Sequence, residues 1–294
     1  MSLFDFQNYT QAASVRHAIS LLEQDEKAVV ISGGSDVLIR LREGKLAGCS
    51  LVSIRGLEEL EGVAKEADGA VVMGPSTTFA AIAAHPIVQE CFPALGHACD
   101  QVGGPQLRHM GTIGGNLCNG ATSADSAPAL LTLNAMLILQ GPQGRRSVHV
   151  KDFYEGPGRV RMARDELLIQ IRVARADYEG YSGHAMKYAM REAMDIAALN
   201  CAVHVKMDGQ RIVDARLAFG VAAPTPIRCP GAENAVVGEV PTEALLSRFG
   251  ETAAAETSPR SSWRASKAFR LRLIRELSSR ALRAAIENGG GVIM

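Results

Sequence analysis

The stretch Thr112–Asp125, TIGGNLCNGATSAD, decides the fold of this chain. It joins two adjacent glycines, Gly114 and Gly115, to small hydroxyl and amide side chains and ends in a carboxylate. Glycines adopt positive φ and let backbone N–H groups approach a phosphate closely. Glycine-rich motifs also match ordinary loops by chance, so the stretch needs support from elsewhere in the chain.

A second small-residue loop, ISGGSD at Ile31–Asp36, supplies that support. Two separated loops of this kind suit an extended ligand with a pyrophosphate in its middle. The upstream loop lies between a strand-like run, AVVIS, and the helical spacing of VLIRLR, and a further strand-like run, SLVSI, follows. This order predicts a βαβ unit, and the absence of GxGxxG argues against a Rossmann dinucleotide fingerprint.

Composition narrows the class of protein. The chain has 294 residues, 47% of them apolar, and a formal net charge of zero, which indicates ample core material and no basic surplus for nucleic acid. Its six cysteines form no CxxC pair, so zinc and iron–sulfur spacings are absent. No apolar run has membrane-spanning length, and the start MSLFDFQNYT lacks a secretory pattern. We expect a cytoplasmic protein with free thiols.

Periodicity predicts the other elements. Helices are expected at residues 14–24, at Ser76–His85 with a cap at Ser76 or Thr77, and after Pro128, while Thr112–Asp125 itself is expected to be a loop. A polar, glycine-bearing segment near Ala176–Gly183 predicts a domain boundary. Three strand-like runs follow it, and then helices over Thr242–Phe249 and Trp263–Asn288. On the last helix we expect a solvated face that contains Arg270, Arg275 and Arg283.

The two glycine motifs together resemble the flavoprotein family that contains the medium, FAD-binding subunits of molybdenum hydroxylases. The resemblance covers nearly the whole chain, since KYAMREAMDIA at Lys187–Ala197 is similar to the family's C-terminal-domain motif. The runs LAFGVAAPTPIRCPGAE and PRSSWRASKAFRLRLI look like those of the FAD subunit of bacterial three-subunit xanthine dehydrogenases.

This resemblance implies an α+β architecture. It comprises a two-subdomain FAD-binding fold of the vanillyl-alcohol-oxidase (PCMH) type and a C-terminal domain of antiparallel sheet with helices. The implied boundaries are 1–177 for the FAD-binding domain, divided into 1–56 and 57–177, and 178–294 for a domain like that of the CO dehydrogenase flavoprotein.

The resemblance also implies which residues contact FAD. The upstream loop would wrap the diphosphate, and the second motif would follow the diphosphate and ribityl chain. Leu168 would lie at the adenine or flavin end. Lys187 and the loop Arg191–Ile196 would lie near the isoalloxazine ring. The full set is Val30, Ile31, Ser32, Gly33, Gly34, Ser35, Asp36, Val37, Thr112, Gly115, Asn116, Cys118, Asn119, Ala124, Asp125, Leu168 and Lys187. Neither motif contains a His, and Cys118 is the one Cys in them, so we expect FAD to be non-covalent.

Flavin chemistry belongs mainly to the cofactor, so we expect neither a catalytic side chain nor a metal site on this chain. The family implies an oxidoreductase complex with a molybdopterin-binding large subunit and a [2Fe–2S] small subunit, with NAD as electron acceptor and xanthine or hypoxanthine as substrate. Three alternatives stay open. The chain could serve a hydroxylase for aldehydes, nicotinate, CO or an aromatic acyl-CoA, it could be a flavin-free scaffold, or it could be a Rossmann NAD protein, which the missing GxGxxG disfavours.

Overall fold

The N-terminal unit is a small parallel sheet with two helices, seen in a computed structural model that describes residues 4–294. Its strand order is β1-β3-β2, and both pairings are parallel. The predicted βαβ unit is confirmed, and the edge strand β1 is one that the sequence pattern did not predict. The elements are β1 (Phe6–Gln11), α1 (Val15–Gln24), β2 (Ala28–Ile31), α2 (Val37–Arg42) and β3 (Cys49–Ser53).

The middle unit is built on a five-stranded antiparallel sheet of order β4-β5-β10-β6-β7. Six short helices are inserted between β5 and β6, and a small hairpin of β8 and β9 follows β7. The strands are β4 (Val63–Lys65), β5 (Val71–Met73), β6 (Met136–Gly141), β7 (Gly144–His149), β8 (Tyr154–Gly156), β9 (Arg159–Val160) and β10 (Leu167–Val173). The helices are α3 (Phe79–Ala84), α4 (Pro86–Cys91), α5 (Pro93–Asp100), α6 (Pro105–Arg108), α7 (Ile113–Cys118) and α8 (Ala127–Thr132).

The C-terminal unit is a four-stranded antiparallel sheet with helices on one face. Alternate residues face opposite sides of a strand. Ala185, Ala202 and Ala218 therefore pack into the core of the middle unit, whereas Cys201, Val203 and others pack against α10 and α11. The elements are β11 (Tyr181–Tyr188), β12 (Leu199–Asp208), β13 (Arg211–Gly220), β14 (Ile227–Arg228), α9 (Pro230–Asn234), α10 (Glu243–Ala255) and α11 (Lys267–Asn288).

One expectation about α11 was wrong. Arg275 and Arg283 pair with Glu251 and Glu243 at the surface, but Arg270 is buried at 2% exposure. Its guanidinium donates to the Ala198 carbonyl at 3.0 Å, to the Ser262 hydroxyl at 2.9 Å and to the Arg260 carbonyl. A guanidinium has five donors and is stable in a protein interior when carbonyl oxygens accept them, which periodicity cannot reveal.

Two arginines join the C-terminal unit to the carboxyl end of α8. Arg216 donates to the Thr132 carbonyl at 3.2 Å, and Arg228 donates to the Leu131 carbonyl at 3.1 Å. The last carbonyls of a helix have no partner within the helix, and cations are favoured there. We call this contact the seam. It comprises Leu131, Thr132, Asn134, Asp177, Tyr181, His204, Asp214, Arg216, Arg228 and Glu233.

Candidate functional site

The first glycine loop closes against the residues that precede α7. A Cβ on Gly33 would lie 1.9 Å from the Met110 carbonyl oxygen, so the two backbones are in direct contact. Gly34 has a φ of 76°, in the left-handed region that favours glycine. Within residues 4–294, the backbone N–H groups of Gly33, Gly34 and Ser35 reach no acceptor. Successive unpaired N–H groups at glycines are suited to bind an anionic oxygen.

The first part of the second motif, Ile113–Cys118, is helical where a loop was expected, and the rest consists of turns. α7 begins after Thr112, whose hydroxyl accepts a hydrogen bond from the Gly115 N–H at 3.2 Å. Ile113 and Leu117 are fully buried, and their packing stabilises a turn that its glycines disfavour. Tertiary packing, which the local pattern does not contain, therefore decides the structure of this stretch.

The two glycines of α7 have different surroundings. A Cβ on Gly114 would lie 2.4 Å from Pro75 Cβ and 2.7 Å from the Pro75 carbonyl oxygen, so this glycine lets α7 pack on the segment before α3. Gly115 is exposed, and a Cβ there would meet only the Thr112 hydroxyl, at 2.9 Å. Gly114 thus permits close packing of α7 on the preceding segment, whereas Gly115 leaves the exposed surface of α7 without a side chain.

Residues 75–78 form a third side of the site, which the sequence reasoning missed. The Ser32 hydroxyl donates to the Ser76 hydroxyl at 3.2 Å, and Thr78 forms an isolated β-bridge with Thr112. Thr78, in place of Ser76 or Thr77, caps α3 by accepting from the Ala81 N–H at 3.2 Å. The sequence signal for this third side is the hydroxyl run STT at residues 76–78. Such a run predicts a helix cap but does not by itself predict a wall of a binding site.

A buried ion pair joins the second motif to the C-terminal sheet. Lys187 Nζ on β11 donates to Asp125 Oδ2 at 2.7 Å and to the Gln101 carbonyl at 3.0 Å. The two charged side chains are 9% and 11% exposed. Burial raises the pKa of Asp125, while Lys187 and a hydrogen bond from Asn200 at 3.1 Å act in the opposite direction. An ammonium has three donors, so one of those on Lys187 remains for another acceptor.

The other predicted residues divide into two groups. Desolvation raises the pKa of Asp36, while the charge of Arg40 and the Asn119 side chain act in the opposite direction, and Asn116 accepts from Ser126 at 2.7 Å. Asp36 and Asn119 thus bring the two motifs together, whereas the Asn116 contact lies within the second motif and the start of α8. The second group packs into the interior, and its members are Ile31, Ala124 and Leu168, with Val30 and Val37 partly buried beside a core. Leu168 is only 4% exposed, so its side chain has little surface for a ligand.

Cys118 is an unreactive thiol in this environment. It lies 4.0 Å from the Met162 sulfur, and burial raises the pKa of its thiol to about 12. A neutral thiol is a poor nucleophile, so the environment does not favour a covalent bond to a ligand. All six cysteines of the chain are unpaired, as expected.

The loop after β11 is exposed and lies over Gly103. Met194 has a φ of 54°, and its N–H donates to the Gly103 carbonyl at 2.9 Å. Asp195 accepts from the N–H groups of Met190 and Arg191, each at 3.1 Å. These hydrogen bonds fix the shape of the loop and leave its apolar side chains exposed to solvent.

These features fit a dinucleotide better than a metal or a nucleophile-dependent substrate. The two motifs combine unpaired N–H groups at Gly33–Ser35, an open surface at Gly115 and a buried ion pair at Asp125. No group of three or more His, Cys, Asp or Glu side chains in residues 4–294 is arranged to hold a metal ion. None of the helices described has the length and hydrophobicity to cross a bilayer.

Comparison with known sequence families decides the assignment. Residues 4–175 match the family described as "FAD binding domain in molybdopterin dehydrogenase", and residues 184–285 match the "CO dehydrogenase flavoprotein C-terminal domain". The chain belongs to this flavoprotein family. It is therefore an FAD-binding oxidoreductase subunit of the molybdenum hydroxylase type.

Individual relatives agree with that family. The chain is 41% identical to the xanthine dehydrogenase FAD-binding subunit of Escherichia coli O157:H7, over 98% of this chain and 99% of the relative. It is 30% identical to the glyceraldehyde dehydrogenase medium chain of Sulfolobus acidocaldarius, over 94% and 97% respectively.

Solved structures of this flavoprotein family share the fold. A chain of carbon monoxide dehydrogenase from Hydrogenophaga pseudoflava superposes with a TM-score of 0.91 at 28% identity, covering 97% of this chain and 98% of that one. Quinoline 2-oxidoreductase from Pseudomonas putida 86 gives 0.91 at 26% identity, covering 98% and 99%. The expected α+β architecture, with a PCMH-type FAD-binding fold and an antiparallel C-terminal domain, is confirmed.

Proposed function

We propose that the chain is the electron-transfer subunit of a cytoplasmic complex that oxidises xanthine or hypoxanthine. FAD bound to it would carry electrons from [2Fe–2S] clusters on a small partner chain to NAD. A molybdopterin-binding large chain would contain the purine site. The 41% identity to a xanthine dehydrogenase FAD-binding subunit over nearly the full length supports this substrate class.

The residues of the two motifs have distinct proposed roles. The free N–H groups of Gly33–Ser35 would donate to the diphosphate, and the open surface at Gly115 would admit the cofactor chain. Val30–Val37, Thr112, Asn116, Cys118, Asn119 and Ala124 would line the same path. Leu168 would contribute backbone groups at the far end, because its side chain is buried. The unpaired N–H groups are the observation that carries the proposal.

The Lys187–Asp125 pair would orient the ring end of the cofactor. Held by Asp125 and Gln101, the ammonium has one donor left, which we assign to the isoalloxazine ring. Because Asp125 neutralises most of its charge, Lys187 acts here more as a placed hydrogen-bond donor than as a free cation. The exposed loop Arg191–Ile196 would flank the ring on the side where nicotinamide approaches. We propose domain limits of 1–56, 57–177 and 178–294.

An anaerobic titration tests this function. The isolated, FAD-loaded chain should be bleached by NADH and left oxidised by xanthine, until the molybdenum and iron–sulfur chains are added. Bleaching by xanthine in a preparation free of molybdenum and iron would overturn the proposal, because it would require a substrate site on this chain. Acid precipitation of the same sample should release the flavin into the supernatant if it is non-covalent.

A second candidate is a flavoprotein subunit for a different substrate. The 30% identity to the glyceraldehyde dehydrogenase medium chain favours this alternative over a flavin-free scaffold. Turnover by the co-purified complex with hypoxanthine against glyceraldehyde separates the two candidates. Purine turnover supports the first proposal, and aldehyde turnover alone supports the second.

A further inference from the structure

The carboxylate of Asp125, at the end of the second motif, is held by side chains from two neighbouring strands of the C-terminal sheet. Lys187 on β11 donates to Oδ2 at 2.7 Å, and Asn200 on β12 donates from Nδ2 to Oδ1 at 3.1 Å. Lys187 and Asn200 are directly opposite each other in the antiparallel register, so their side chains lie on the same face of the sheet. Each oxygen of Asp125 therefore has its own donor from the C-terminal unit.

The amide of Asn200 is fixed in one orientation. The residue is 2% exposed, and its Nδ2 also donates to the Ala124 carbonyl at 3.2 Å. Both partners are acceptors, so only the amide nitrogen can face them. The amide oxygen, Oδ1, is buried and has no donor among residues 4–294. A buried acceptor without a donor destabilises the fold, and such departures from good packing are typical of groups that serve a functional site.

The third strand of the sheet is shaped around the same contact. Gly220 on β13 is the partner of Asn200, and a Cβ there would lie 2.2 Å from Asn200 Oδ1 and 2.8 Å from the Thr122 carbonyl oxygen. The next residue, Val221, has a φ of 65°, which a β-branched residue rarely adopts, and its N–H donates to the Thr122 carbonyl at 2.9 Å. Backbone strain of this kind clusters at functional sites, so the end of the second motif is a place where strain is tolerated.

We propose that Asn200 is a positioning residue for the flavin site: it keeps Asp125 ionised and oriented, so that Lys187 holds its remaining donor toward the isoalloxazine ring. The inference rests on the role that the proposed function gives to Lys187. Without the amide, one oxygen of Asp125 would lack its donor, and a buried carboxylate that loses a hydrogen bond is protonated more easily. A neutral Asp125 would release the ammonium of Lys187 from its ion pair, and the donor would lose its fixed direction.

Few titratable groups act on this carboxylate. Among residues 4–294, those that interact with Asp125 are Lys187 on β11 and the Cys99 thiol on α5. Burial and the charge of Asp125 raise the pKa of the Cys99 thiol, so this group is neutral at physiological pH and supplies no counter-charge. The ionisation of Asp125 therefore depends on Lys187 as its cation and on Asn200 as its neutral donor.

The test is the Kd of the full chain for FAD, followed by flavin fluorescence from about pH 5 to about pH 8, where raised carboxyl pKa values are observed. Asn200→Asp keeps the shape of the side chain but places a second carboxylate beside Asp125, and two adjacent carboxylates do not ionise together. We expect the Kd at neutral pH to rise about tenfold, as for the loss of a hydrogen bond to a charged group. The pH below which FAD binding weakens should move upward. Asn200→Ala removes the donor without adding charge and should act in the same direction, but less.

Asn134→Asp is the matched control. Asn134 also donates to a carboxylate, that of Asp177 at 2.7 Å, but it does so at the seam. This variant should lower the free energy of unfolding and leave unchanged both the Kd for FAD and its pH dependence. If Asn200→Asp does not fold, Asn200→Ala decides the outcome.

Lys187→Met separates this inference from the proposed function. If that variant binds FAD with an unchanged Kd, the proposed role of Lys187 fails, and the inference fails with it. If Lys187→Met weakens binding while the folded Asn200 variants keep the Kd and pH profile of the unaltered chain, only the inference is overturned. A Kd raised equally at every pH would also overturn it, because the contribution of Asn200 would then be independent of the ionisation of Asp125.

Discussion

The glycine-loop region and the seam are both rich in polar groups, but they leave their donors in opposite states. At the seam, the Arg216 and Arg228 guanidinium groups reach carbonyls and carboxylates on several elements. At the loops, consecutive N–H groups at Gly33–Ser35 reach no acceptor within residues 4–294. Buried guanidinium groups that reach several acceptors indicate a structural contact, and grouped unpaired N–H donors indicate a place for a ligand. Substitutions in both regions test that distinction.

The largest effect is expected for Gly33→Ala. The new Cβ would lie 1.9 Å from the Met110 carbonyl oxygen, and two backbone segments would have to separate. We expect a loss of about 3 kcal/mol in the free energy of unfolding, together with loss of most bound flavin. Denaturant unfolding and flavin absorbance per chain measure the two effects.

Gly44→Ala is the matched control for that substitution. Gly44 has a φ of 73° but a Cβ there would meet nothing within 4 Å, so only torsional strain of about 1 kcal/mol is added. Equal costs for the two variants would show that the close approach of Gly33 to Met110 is not what stabilises the loop.

The next largest effect is expected at the seam, for Arg228→Met. This change leaves the carbonyl of Leu131 without its donor and the partly buried carboxylate of Glu233 without its cation, with the Leu217 N–H as its remaining donor. We expect a cost of about 2 kcal/mol in unfolding free energy, with flavin affinity unchanged in the folded protein. Arg275→Met breaks an exposed pair and should cost less than about 1 kcal/mol. A drop in flavin affinity for Arg228→Met would remove the distinction between seam and site.

A smaller effect, on flavin affinity more than on stability, is expected for Gly115→Ala. Alanine favours a helix, but its Cβ would lie 2.9 Å from the Thr112 hydroxyl that caps α7, so this cap must shift and we expect a loss of stability below about 1 kcal/mol. Flavin affinity should fall about tenfold, equivalent to about 1.4 kcal/mol, because the methyl group occupies the open surface. Gly115→Val should lower it more. Gly114→Ala, which meets Pro75, should lower stability more, and the same result for both glycines would contradict their separate roles.

The smallest effect concerns pH at the seam. Burial lowers the pKa of His204 to about 3, and its ring nitrogen bonds the Thr132 hydroxyl at 2.9 Å. A depressed pKa contributes stability that is present above the unfolded value of 6.5 and is lost as pH falls toward 3. Between pH 7.5 and 6.0 the loss should be below about 1 kcal/mol, and it should be absent in His204→Gln.

The loop region should respond to pH with the opposite sign. Burial raises the pKa of Asp125 above its ordinary value of 3.8, so its contribution to stability is present at low pH and lost as pH rises through the folded value. Asp125→Asn should remove that component and leave the acid-side loss from His204 intact. If both variants change the same limb of the pH–stability curve, the two regions are not electrostatically independent.

Much of this architecture could be predicted from local patterns. The spacing of Val15, Ala18, Ile19 and Leu22 predicts α1, and glycines after an apolar run predict the turn of the βαβ unit. The helical state of Ile113–Cys118 could not be predicted, because it depends on the burial of Ile113 and Leu117 by distant segments. The burial of Arg270 depends equally on carbonyls that are distant in sequence.

The candidate site shows the same limit. The glycine motifs identify its two main walls, but the run at residues 75–78 becomes part of it only through contacts across the fold, such as Ser32 with Ser76. Lys187 and Asp125 are 62 residues apart, so their pairing is a property of tertiary structure. Composition and spacing predict which kinds of side chain and backbone group a binding site contains. The three-dimensional contacts decide which of those groups have a hydrogen-bond donor left for a ligand.

The arginines that hold α8 join the two halves through contacts that do not include the peptide connection between them. α8 starts just after Asp125 and ends in the guanidinium groups of Arg216 and Arg228, so one helix is fixed at both ends by the half that follows it. A protease cut in the exposed turn at Glu179–Gly180 would leave these contacts intact. We therefore expect the linker to act mainly by raising the effective concentration of one half at the other, so that the halves of a nicked chain stay associated.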